Sequence, residues 1–150
     1  MFAFEGRVSD KLAVVGVIQP QAITAGATGV LTGAIDMKDW ERIICVAQSG
    51  TLGSSGTLDV KAVASATSGG TYTAISGKAN TQLVKATDDN KVVVLEVTQD
   101  DLAKVDKRYV KINMVAGTAN ATSGCVVLGV PASYGKASDN DLAAVAEIVA

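Results

Sequence analysis

Arg108-Tyr-Val-Lys-Ile-Asn-Met-Val-Ala116 is the stretch that decides the fold class. Val110, Ile112, Met114 and Ala116 share one parity; Tyr109, Lys111, Asn113 and Val115 share the other. A period of two places the two sets on opposite faces of an extended strand. A polar stretch containing Gly117, Asn120 and Gly124 follows, and then a second apolar run, Cys125-Val-Val-Leu-Gly-Val130, closed by Pro131. Two such runs joined by a Gly/Asn/Ser-rich loop predict a hairpin.

Working outward, the same signals recur. Leu12–Ile18 reads as a strand stopped by Pro20, and Val30–Met37 as another. Arg42–Ala47 has the unbroken apolar core of a buried strand, whereas Thr57–Ser65 alternates, with Leu58, Val60, Ala62 and Ala64 on one face. Thr71–Ile75, a weaker Thr81–Ala86 and Lys91–Val97 complete the series. Gly50 to Gly56, Gly69-Gly70, Ser76-Gly77-Lys78 and Asp88-Asp-Asn90 supply the turns between them. Gln99–Lys104 fits one helical turn with Thr98 or Asp100 near its N-cap. Strand signals about every 10 to 15 residues, with no long amphipathic helix, predict an all-β fold: a single antiparallel β-sandwich or barrel of about eight or nine strands over residues 1–150.

The ends differ from this pattern. Residues 1–10 read as an N-terminal arm bearing Phe2 and Phe4. Residues 138–150 read as a C-terminal arm or short helix, since an Asp-rich start and several alanines suit a helix while a terminal position suits an arm. Phe2, Phe4, Leu142, Val145, Ile148 and Val149 are the candidate interaction residues. Two readings stand for them: contact with a neighbouring subunit, or closure of the chain's own core.

Composition narrows the function classes. The chain has 48% hydrophobic residues but only one Trp, three Tyr and two Phe, so aliphatic side chains fill the core. A mean hydropathy of +0.30 is high for a soluble monomer and points to apolar surface covered by other subunits or by the sheets themselves. The net charge is −2, with basic residues scattered singly, so the clustered footprint of a nucleic-acid binder is missing. Leu12–Ile18 is too short to span a membrane, and Glu5 and Asp10 spoil the basic region of a secretory signal.

Reaction chemistry is equally sparse. There is no histidine, the usual base beside a serine or cysteine nucleophile. Gly77-Lys78 is followed by Ala79 and so breaks the phosphate-loop pattern. Asp88-Asp89 and Asp139/Asp141 lack the order of a calcium loop, and two distant cysteines without histidine do not make a zinc site. Cys45 and Cys125 each lie in an apolar run, as buried free thiols or as a pair. Asn120-Ala-Thr122 matches the glycosylation acceptor pattern. The expectation is a protein that is not an enzyme and that uses no cofactor and no metal.

Four blocks carry a family resemblance: Asp39-Trp-Glu-Arg-Ile43, Gly70-Thr-Tyr-Thr73, Arg108-Tyr-Val-Lys111, and Pro131-Ala-Ser-Tyr-Gly135 with Ser138-Asp-Asn-Asp-Leu142 and Val149. From about residue 39 onward the chain resembles the capsid decoration (cement) proteins of tailed bacteriophages. That resemblance implies a jelly-roll-like β-sandwich that binds the outer capsid surface of the virion after assembly in the host cytoplasm. It implies bridging of major capsid protein subunits and self-association as a dimer or trimer, with no nucleic acid and no membrane among the partners. The alternatives are a tail-tube or head–tail connector subunit, or a carbohydrate- or surface-binding β-sandwich module.

Overall fold

The computed structural model describes residues 8–132 and 143–149. Among these residues a single 3-10 turn, Val8–Asp10, precedes ten strands: β1 (Ala13–Ile23), β2 (Val30–Leu31), β3 (Ile35–Asp36), β4 (Trp40–Leu52), β5 (Thr57–Ser65), β6 (Thr73–Ala79), β7 (Leu83–Val84), β8 (Val92–Thr98), β9 (Tyr109–Gly117) and β10 (Ala121–Pro131). One short helix, α1 (Gln99–Ala103), separates β8 from β9. The strands form two antiparallel sheets. One has four strands in the order β1-β10-β4-β8. The other has six, in the order β2-β9-β5-β6 with β3 also on β9 and β7 also on β5.

The surplus over the expected eight or nine strands comes from two interrupted ones. β2 and β3 pair with successive stretches of β9, and β7 and β6 pair with successive stretches of β5. In the first gap the Thr32 hydroxyl, itself buried, accepts from Ile112 N at 3.0 Å, while Thr32 N donates to Ile112 O. In the second, the Asn80 side chain accepts from Val60 N at 2.7 Å. Side chains thus satisfy backbone groups that a regular ladder would otherwise pair. Counting each interrupted strand once leaves eight. Consecutive strands then cross between the layers everywhere except from β5 to β6, which is the order of a jelly roll.

Inward-facing residues fill the space between the sheets. Val110, Ile112, Met114 and Ala116 of β9 and Leu58, Val60, Ala62 and Ala64 of β5 are buried, as their parity requires. Ile43 and Cys45 of β4, Val97 of β8 and Val127 of β10 meet them from the other sheet within one core. Trp40 packs its ring on β10: a Cβ added at Gly129 would stand 2.5 Å from Trp40 Cε3, so this close approach needs a glycine.

Three sequence expectations change. The hairpin over residues 108–130 does not form, because β9 and β10 belong to different sheets. Each already has neighbours on both sides, β5 with β2 and β3 for β9, β1 and β4 for β10. The link at residues 118–120 therefore arches across the core. Pro20 does not stop the first strand, which continues to Ile23. β1 is an edge strand, and Pro20 falls in a register break between Ile18 and Gln21, where no ladder donor is required. Finally, two predicted turns lie inside strands: Gly50 to Leu52 belong to β4 and Ser76-Gly77-Lys78 to β6.

α1 forms as the sequence suggests. Thr98 is its N-cap, accepting from Asp101 N, while the Asp101 carboxylate accepts from Thr98 N at 2.9 Å, a reciprocal capping box.

Candidate interaction surface

The two sheets present very different outer faces. On the six-stranded sheet that face mixes paired polar groups with scattered apolar side chains, Leu31 and Val84 at its edges being 40% and 37% exposed. The Arg108 guanidinium donates from Nε to Asp36 Oδ1 at 2.8 Å and lies over the Tyr109 ring, and Lys111 Nζ sits 4.3 Å from the Tyr72 ring centroid. The side-chain hydrogen bond from Arg108 holds the Asp36 carboxyl below its ordinary range. Gln82 donates to Asp59 on the same face.

On the four-stranded sheet the outer face is aliphatic. Strand register places Val17 opposite Val126, Val126 opposite Val46, and Val46 opposite Val94. These four form a single row across β1, β10, β4 and β8, spanning about 14 Å at the usual strand spacing. Val14, Leu128 and Ile44 make a second row that ends on Glu96, and Gln48 and Val92 lie on the far side of the first. The row is most open at β8: Val126 is 40%, Val46 36% and Val94 62% exposed. Among the strand residues of this face the charges stand at one end, where Arg42 pairs with Glu41 at 2.8 Å and with Glu96 at 3.6 Å.

The C-terminal segment runs along this face. Ala144, Val145, Ala146 and Glu147 form one wall of a groove of about 860 Å³ whose floor includes Val14, Val17, Val46, Val92 and Val126. Such a groove, largely aliphatic and open, suits a peptide segment or a protein surface better than a polar small molecule.

The predicted contact residues divide between the described chain and the rest. Phe2, Phe4 and Leu142 lie outside the described residues, as do the Asp139/Asp141 pair and most of the C-terminal helix start. Val145 is half-buried at the groove, Ile148 is 40% exposed and Val149 is 87% exposed. None of these three joins the core, and residues 145–149 carry no helix. Sequence reading misses the valine row, whose members come from four strands far apart in the chain. One signal is present: Ile43–Val46 and Val92–Leu95 are apolar on both parities, the pattern of strands covered on both faces.

Other candidate chemistry resolves into structural roles. Asp88 accepts from Val84 N and Asp89 from Leu52 N, with Lys85 paired to Asp89, so the acidic turn pins the β7–β8 connection. Asn120 Oδ1 accepts from Ala25 N at 3.0 Å. Cys45 and Cys125 are buried free thiols that share a hydrogen bond, and that bond together with burial pushes the Cys45 thiol up. Among the described residues no helix is long and apolar enough to cross a membrane, and no cluster of three His, Cys, Asp or Glu side chains converges.

No family model matches this chain. No curated protein matches it either. Among solved structures it is similar to a chain from Bacillus endospore appendages, described as a family of disulfide-linked pili. The two share 16% identity at a TM-score of 0.39, over 88% of this chain and 100% of that one. At that distance the likeness says nothing of what this chain binds.

Proposed function

We propose that this chain is a structural virion subunit without enzymatic activity, a capsid decoration protein that binds the outside of a phage head and stabilises the lattice by bridging capsid subunits. The observation that carries this reading is the valine row. A protein that works through contact needs a surface its own folding leaves open, and an aliphatic sheet face with a charged end has the makeup of an interface core and rim. The short blocks resembling decoration proteins name the kind of assembly, and repetition over many lattice sites would turn modest individual contacts into firm attachment.

The polar face weighs against the carbohydrate-binding alternative. Sugar sites use open aromatic platforms, yet Tyr72 and Tyr109 each have a cation over the ring. Co-sedimentation with expanded and unexpanded heads tests the proposal. The full chain is expected to pellet with expanded heads. A chain that stays in the supernatant with both, or that binds glycans on an array, would overturn it.

A further inference from the structure

We infer that the groove over the four-stranded sheet seats a second copy of this chain, which inserts its own C-terminal segment, Ala143–Val149, against the valine row. The inference rests on the reading of this face as a contact surface and names its partner. Its test uses the chain alone, so failure to bind capsids and failure to self-associate are separately visible.

Three observations choose this occupant. First, β4 and β8 have the unbroken apolar runs of doubly covered strands, and the C-terminal segment borders the groove on their outer side. That cover is partial: Val94 and Val92 remain 62% and 54% exposed. Second, the segment matches the groove chemically. Ala143-Ala-Val-Ala-Glu-Ile-Val149 carries one charge in seven residues, and its most apolar end, Ile148-Val149, stays 40% and 87% exposed on its own domain. One copy therefore holds both halves of an apolar contact, an open row and an uncovered end, that it does not close by itself.

Third, reach and symmetry allow the exchange. Ten residues separate Ala132 from Ala143, a span of up to about 35 Å when extended, enough to cross to a facing subunit. Two copies meeting through the same face about a two-fold axis would each give a segment and receive one, the self-complementary arrangement of a closed dimer. Sheets packed face to face stand about 10 Å apart, and a pair of extended segments laid between them widens that layer without leaving it empty. A net charge of −2 sets little repulsion between copies.

The experiment compares three full-length chains by size-exclusion chromatography with light scattering, with Trp40 fluorescence reporting the fold. The wild type is expected to run as a dimer. Val94→Glu, on the face, and Val149→Glu, on the segment, are each expected to run as monomers with unchanged fluorescence. An equimolar mixture of the two variants should regain a dimer fraction, because the intact segment of one still meets the intact face of the other. A monomeric wild type would overturn the inference. So would a Val94→Glu chain that stays dimeric. A Val149→Glu chain that dimerises as well as the wild type would show sheet faces meeting without the segment, which also overturns it. Should Val94→Glu misfold, Val94→Ser serves as the face variant, with weaker dimerisation as the expected result.

Discussion

Val126 and Val127 are adjacent on β10 and chemically identical, yet one belongs to the outer face and the other to the core. Val127 is fully buried between the sheets, while Val126 is 40% exposed in the middle of the valine row. The contrast extends to whole surfaces. The outer face of the six-stranded sheet pairs several of its polar groups, Arg108 with Asp36 and Lys111 with Tyr72, although the buried Asn113 Oδ1 accepts no hydrogen bond. The outer face of the four-stranded sheet has aliphatic side chains in register and few polar partners. A sandwich can solvate both outer faces, so an aliphatic outer row is not a requirement of folding.

Substitutions can break that comparison, and the core should show the largest effect. Ile112→Ala removes a fully buried side chain from the centre of β9 and should cost about 2–5 kcal/mol, read from urea unfolding. A smaller loss would mean the layers are less tightly packed than the burial indicates.

Gly29→Ala comes next. Gly29 has φ +95°, and a Cβ there would run into Asn113 Oδ1 and stand 2.6 Å from Met114 O, on the closed outer face. Backbone strain of this kind costs about 1–3 kcal/mol, and the clash adds to it. Unfolding of the variant at wild-type denaturant concentration would show that the β1–β2 loop yields freely.

The third prediction concerns acid. Burial alone would raise the Asp101 carboxyl, but Lys78 at 2.8 Å and the donors of Thr98 outweigh it and hold the group at about 2. A carboxyl depressed in the folded state stabilises above its unfolded value of 3.8 and loses that contribution as pH falls towards 2. Lys78 is on β6 and Asp101 follows β8, so this pair ties the two sheets together at their edge strands. Thermal melts from pH 6 to pH 2 should therefore fall more steeply for the wild type than for Asp101→Asn. Parallel curves would remove Asp101 from the account of acid lability.

The smallest stability effect is expected on the valine row. Val126→Ala should change unfolding free energy by no more than about 0.5 kcal/mol when measured on the dilute monomer. A loss comparable to a core truncation would place Val126 in the core and erase the distinction between the faces.

Much of the sandwich is legible in the sequence. Thr57–Ser65 reads correctly to the residue, the parity of Arg108–Ala116 gives the buried set, and Thr98 is one of the two N-cap candidates, because each depends on local periodicity or local hydrogen bonds. The hairpin misleads because pattern marks a strand without marking its sheet, and a short loop can arch over a core as easily as turn beside it. Pro20 misleads because its tolerance depends on an edge position that only topology reveals. The valine row needs more still. Val17, Val46, Val94 and Val126 become a row only through the registers of three strand pairs, and residue order does not encode those registers locally.

Val126 and Val105 provide the most direct test, since both are 40% exposed in the isolated chain and only Val126 lies on the row. Accessibility of valine methyls to a paramagnetic cosolute, measured on the full chain at concentrations where copies associate, compares them within one sample. The account predicts that Val126, with Val46 and Val94, becomes protected while Val105 stays accessible; equal accessibility at Val126 and Val105 would contradict it.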